Sequence, residues 1–191
     1  MKNIRKDEAN QLHPDFARVG TVEGKPLVRA YFNHTTEERE SMMPNEEGES
    51  ETHAVFLADF IERVSDKDNA LDLVKEEVIG QITAYDTSSA VNSFTLQGKQ
   101  MWLPKETRVG LMNSITIEKA AGKETTVLWF DSESYTIPVD QAIQMLSALE
   151  LYALECYNVT AAHTAQVLTL SDVSAVVSYD YTANYPEKLN F

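Results

Sequence analysis

The side chains of this chain best suited to bond-making chemistry are one cysteine and four histidines, set among 30 acidic and 16 basic residues. Cys156 and His163 stand seven residues apart in a stretch with helical apolar spacing. A thiolate nucleophile needs its imidazole base within hydrogen-bond reach, whereas two helical turns separate the pair by ~10.5 Å. Cys156 is therefore expected to be a core thiol, packed as a small hydrophobe. His34 and His53 flank an acidic loop, so a metal site with Glu46, Glu47, Glu49 or Glu51 is conceivable. That spacing matches no ligand signature. The chain has no His-Glu-x-x-His, no Cys-x-x-Cys, no Gly-x-Ser-x-Gly elbow and no glycine-rich phosphate loop. No catalytic, cofactor-binding or metal-ligating residue is assigned, and no cofactor is expected.

Aromatic residues offer binding rather than catalysis. Trp102 and Trp129 fall in or beside two expected hairpins, in equivalent roles, where sheet-face packing is the first reading and ligand stacking the second. The C-terminal stretch holds Tyr179, Tyr181, Tyr185 and Phe191 and is expected to dock on its own domain or on a neighbour.

The elements that must position these residues show best in the C-terminal half, where one pattern is used twice. Phe94-Thr95-Leu96, a Gln97-Gly98 turn and Met101-Trp102-Leu103-Pro104 run into a helical stretch. Thirty-four residues on, Leu128-Trp129-Phe130, a Ser132-Glu133 turn and Tyr135-Thr136-Ile137-Pro138 do the same. The match continues through Glu106/Asp140, Val109/Ile143, Leu111/Met145, Met112/Leu146 and Ile115/Leu149. The spacing predicts a ββα-ββα unit. Its first helix runs from Pro104, whose fixed φ suits a helix start, to Gly122, a natural stop.

The second helix starts at Pro138 and meets no strong breaker before Thr169-Leu170-Ser171. At 1.5 Å per residue it would be ~46 Å long. It must span the molecule, bend near Asn158-Val159-Thr160, or project. On a 100° wheel, Ala142, Met145, Leu146, Leu149, Tyr152, Ala153, Cys156, Tyr157 and Val167 share one apolar arc. Leu151 falls among the polar residues, as a possible second contact. A short helix from Asp172 to Tyr179 follows.

The N-terminal part is less patterned. Residues 1–25 read as an irregular lead-in, and Leu27–Phe32 as a strand. Thr35-Thr36-Glu37-Glu38 is a capping box for a short helix ended by Pro44. Residues 44–52 form an acidic loop and 69–84 an amphipathic helix through Leu71, Val74, Val78 and Ile82, while 53–61 reads first as a second strand and otherwise as the start of a helix. The fold class is α+β: a small β-containing N-terminal segment, 1–65, then the duplicated domain with its long helix, 66–191.

The net charge of −14 disfavours a nucleic-acid backbone binder, which needs clustered Lys and Arg. Between Glu124 and Glu187 stand nine acids and no Lys or Arg. Those acids stay solvated, face bases elsewhere in the chain, or meet a basic partner. No apolar run approaches the ~20 residues of a membrane span, and Asp7 and Glu8 sit where a signal peptide needs its apolar core. A soluble product is the expectation, cytoplasmic when made, with a virion as the alternative destination.

Trp102-Leu103-Pro104-Lys105-Glu106-Thr107-Arg108, Glu118-Lys119-Ala120-Ala121-Gly122-Lys123 and Thr126-Val127-Leu128-Trp129 form a familiar series. It continues with Ile137-Pro138-Val139-Asp140, Leu149 through Tyr157 with Thr160 and His163, and Tyr179-Asp180 with Tyr185-Pro186. Over about residues 82–191 it resembles an uncharacterised bacterial and phage family, domain-of-unknown-function family 4376. That family occurs in prophage regions or at the C-terminal end of tail-fibre-like proteins. The resemblance implies a tail-associated or mobile-element context and carries no catalytic residues. The leading expectation is thus a non-enzymatic structural or assembly protein acting through protein–protein contacts, with phage tail components or copies of itself as partners. The alternatives are an acidic module that targets a basic protein surface and an unrecognised hydrolase using carboxylates with His34 or His53.

Overall fold

The computed structural model describes residues 3–40, 50–130 and 132–191. The fold is α+β, with its longest helix towards the C-terminal end. It comprises two compact units, Met1–Gln81 with Thr164–Asp180 and Ile82–His163 with Tyr181–Phe191. The chain passes between them three times, at Gln81–Ile82 and His163–Thr164 within helices and at Asp180–Tyr181 beyond the last helix.

The first unit is built on an antiparallel sheet of order β1-β4-β3-β2, from Arg5–Ala9 (β1), Phe16–Val22 (β2), Lys25–Glu40 (β3) and Thr52–Val64 (β4). Residues 1–25 are therefore not an irregular lead-in. Both β1 and β2 are edge strands, largely exposed, so they lack the apolar alternation that would announce them. Glu23 and Gly24, at φ 52° and 78°, supply the doubly left-handed turn that a β2–β3 hairpin needs. The expected helix at Thr35–Glu38 is also corrected. These residues continue β3, paired from Thr35 with Leu57 to Glu38 with Ala54. A capping box is a local preference worth about 1 kcal/mol, and a long ladder with β4 outweighs it. The strand expected at 53–61 is β4.

Val28, Ala30, Phe32 and Ile61, on one face of this sheet, are buried. So are Leu73, Val74 and Val78 of the first helix, α1 (Ala70–Asp86), and Val167 and Val176. Asn69 caps α1 by accepting from the Asp72 N–H at 2.9 Å. The short helix α4 (Val173–Val177) packs on β3, capped by Asp172 through the Ala175 N–H at 2.8 Å.

The second unit contains the duplication. Hairpin β5–β6 (Phe94–Leu96, Lys99–Met101) leads into α2 (Lys105–Ala120), and hairpin β7–β8 (Thr125–Phe130, Glu133–Pro138) into α3 (Val139–Thr169). Matched positions of the two copies meet in one core: Phe94 with Leu128, Leu96 with Phe130, Leu103 with Ile137, Ile115 with Leu149. Gln97 and Gly98 turn the first hairpin at φ 50° and 81°, and Gly122 ends the α2 region at φ 80°. Glu133, expected in the second turn, instead pairs with Phe130 as the first residue of β8. Helix α3 is unbroken through Asn158–Thr160 over 31 residues. The C-terminal residues dock on their own unit. Asn190 bridges Thr95, and Phe191 N–H donates to Thr95 O at 2.8 Å.

Candidate functional site

Cys156 is buried on α3, beside Tyr152 and Val91. Burial pushes its thiol pKa up, so the native thiol is a poor nucleophile. Burial pushes the neighbouring Tyr152 hydroxyl up as well, and that hydroxyl donates to Val91 O at 2.7 Å. His163 is buried, its Nε2 2.9 Å from Ala183 O, and its ring lies against Tyr185. Thr160 bonds both Asp86, at 2.8 Å, and the Tyr185 hydroxyl, at 2.9 Å. Tyr85 meets Tyr181 and Tyr185 edge-on. Cysteine, histidine and tyrosines thus tie the chain end to its own unit.

The histidine–carboxylate metal site does not assemble among the described residues. Glu46, Glu47 and Glu49 lie outside them, and no group of three potential ligands is present within them. His53 pairs with Arg39, five positions along β3 from His34, or ~17 Å at strand spacing. His34 instead sits 3.2 Å from Asp15. The pair borders a pocket of about 500 Å³ that Ser174 also lines.

Sequence reasoning missed a cluster on the first unit's other sheet face. Arg29 donates to Glu62 at 2.6 Å, lies 4.7 Å above the Phe60 ring and reaches the Tyr31 hydroxyl at 3.3 Å. The Tyr31 hydrogen bond, then Glu62, raise its pKa further. His13 stacks on Tyr31 at 4.9 Å, its Nδ1 3.9 Å from Asp7 and its buried Nε2 without a hydrogen-bond partner among the described residues. Tyr31 and Phe60 are a direct cross-strand pair, and Arg29 pairs with Glu62 next to it. Arg29 and Glu62 match charge across the ladder, and the Arg29–Phe60 and His13–Tyr31 ring contacts order this sheet face. The only signal in the sequence was the alternation Arg29-x-Tyr31, which needs the β4 register to acquire meaning.

The tryptophans are not equivalent. Trp102 is partly buried, edge-on to Tyr152 and 5.1 Å beneath the Arg108 guanidinium. Trp129 is 69% exposed on the outer face of β7, next but one to exposed Val127. Helix α3 adds Leu151 at 68% and Tyr157 at 67%, with exposed Leu154 between them. Leu151 thus sits on the polar side as expected, whereas Tyr157 does not join the core.

Three of the nine acids in the cation-free segment face bases of the first repeat. Lys99 pairs with Glu133, Arg108 with Glu150 at 2.8 Å, and Lys119 with Asp140 at 2.7 Å. Lys99 and Glu133 are equivalent positions of the two hairpins, so the copies differ in charge where they meet. The Lys99 hydrogen bond holds the Glu133 pKa below the usual carboxylate value. No described helix is long and apolar enough to cross a membrane. No family model, curated protein or solved structure matches the chain.

Proposed function

We propose that this chain is a non-enzymatic structural or assembly protein of phage or prophage origin, working through protein–protein contacts of its second unit. The observation that carries the reading is Trp129, an indole left 69% exposed on strand β7. Tryptophan is enriched in the buried centres of interfaces, and a large aromatic facing water costs stability that burial in a contact recovers. Leu151, Leu154 and Tyr157 repeat the pattern on α3. The first partner is another copy of the chain. The family resemblance supplies the tail-associated setting. Particles induced from a host that carries the gene test that setting by mass spectrometry of their tail fraction. The chain should co-purify with tail components at a fixed ratio, and its absence from intact particles would remove the phage setting.

The acidic-module reading has less charge to work with, because Glu133, Asp140 and Glu150 already have internal partners. A hydrolytic reading rests on one observation, the Asp15–His34 pair beside a pocket lined by Ser174. Acyl hydrolysis needs a carboxylate hydrogen-bonded to the imidazole, whereas both His34 ring nitrogens are without a hydrogen-bond partner among the described residues. Turnover of p-nitrophenyl acetate by wild type and none by His34→Ala would favour it, and equal rates would discard it.

A further inference from the structure

A cleft of about 560 Å³ opens in the second unit between the end of β5, the C-terminal half of β8 and the first turns of α3. Its floor is apolar and buried: Leu96, Ile137 and Met145. Its rim carries three exposed carboxamides, Gln97, Gln141 and Gln144, none engaged by another side chain among the described residues. No lining side chain is charged, although the chain holds 46 charged residues, 16 basic and 30 acidic.

One wall is an open strand edge. Among the described residues strand β8 pairs only with β7. Glu124 and Val139 face each other one step beyond Thr125 and Pro138, and Val139 N–H donates to Glu124 O at 3.0 Å, so this is a hydrogen-bonded pair. Alternation along the ladder then makes Thr126–Ile137 and Leu128–Tyr135 the next bonded pairs. Thr136, opposite Val127, therefore turns its N–H and C=O away from β7, at the residue that lines the cleft. The opposite wall is fixed. Gln97 N–H donates to Phe191 O at 2.9 Å, and Gln141 and Gln144 share one side of a helix.

We propose that this cleft takes an extended, uncharged segment of a partner protein as an added strand along β8, with one apolar side chain seated on Leu96, Ile137 and Met145. The inference rests on the protein-contact reading above and names the chemistry of one contact. A charged segment would lose hydration here and find no charged side chain in the lining, whereas an uncharged one loses little. The peptide groups of an added strand alternate between the β8 edge and the far side. A carboxamide carries the same donor and acceptor as a peptide group, so the rim glutamines can satisfy the far-side set.

The test is a titration of isotope-labelled full chain with acetyl-Ser-Thr-Leu-Thr-Ser-amide, followed by amide and carboxamide resonances. Saturable shifts are expected at Gln97, Thr136, Gln141 and Gln144 below about 5 mM, as for a Kd of about 1 mM. Affinity should fall at least about tenfold for the peptide N-methylated at its leucine, and likewise for Gln144→Glu, which places an uncompensated charge on the rim. Gln144 is exposed, so an unchanged dispersed spectrum of that variant certifies its fold. Absent or unsaturable shifts would overturn the proposal, as would binding indifferent to both changes. Maltose shifting the same resonances where the peptide does not would also overturn it, in favour of a saccharide site. None of these outcomes alters the native mass of the unliganded protein, so the cleft can fail while the protein-contact reading stands.

Discussion

Arg108→Ala should destabilise the second unit by about 3–5 kcal/mol, while Glu150→Gln should cost less than about 1 kcal/mol. Arg108 is 5% exposed, and its Nη1 donates to Leu103 O at 2.7 Å. Leaving that carbonyl without its donor costs about 1–3 kcal/mol. The guanidinium 5.1 Å from the Trp102 ring contributes about 0.5–2 kcal/mol more, and its buried stem adds packing. The ion pair looks the more obvious tie at 2.8 Å, but the Glu150 side chain is 48% exposed. Solvent screening holds such a pair to about 0–1 kcal/mol. Urea unfolding followed by tryptophan fluorescence separates the two changes. At a slope of about 2 kcal/mol/M, Arg108→Ala should lower the midpoint by about 2 M and Glu150→Gln by under about 0.5 M. Comparable losses from the two variants would refute the reasoning. They would make the ion pair, rather than the carbonyl and the indole, the reason for burying the arginine.

Cys156 should resist Ellman's reagent in the native protein and react stoichiometrically in denaturant, since burial raises its thiol pKa; fast native labelling would contradict the packing. The Glu133 carboxyl should titrate below the usual carboxylate midpoint, and Lys99→Ala should bring it back up, as read by carboxyl-carbon shifts. Because the folded value is depressed, its stabilising effect is present above the unfolded pKa and is lost as pH falls through the folded one. Asn69→Ala should cost about 1 kcal/mol by removing the cap of α1, and Asn69→Ser should restore most of it in thermal melts.

What the sequence revealed was whatever local pattern and tertiary packing agreed on. Phe94, Leu96, Ile115 and their partners 34 residues on are buried because each copy's apolar face closes the other's. The spacing that exposed the repeat is therefore the spacing that builds the core. The first unit was harder to read because its edge strands are held by pairing to β3 and β4, not by their own side chains. Arg5-Lys6-Asp7-Glu8-Ala9 has no strand signature until Phe60 to Phe56 lie beside it. Thr35–Glu38 carried a helix signal that non-local pairing overrode. The same limit hid the Arg29–Tyr31–Phe60–Glu62 cluster, which joins two strands, Glu62 standing 33 residues beyond its partner Arg29. Tyr157 was misplaced because the core-facing arc of α3 is narrower than its apolar residues suggest.

The central claim is that the exposed apolar surface of the second unit is covered in the working protein, and native mass tests it most directly. Light scattering of the purified chain over a concentration and salt series should give a dimer or trimer that resists added salt, because apolar contacts are not screened. Trp129→Ser together with Leu151→Ser should lower that mass towards the 21.5 kDa monomer and leave the fold intact. A wild-type protein that stays monomeric at every concentration, with Trp129 fluorescence reporting a solvated indole throughout, would contradict the account.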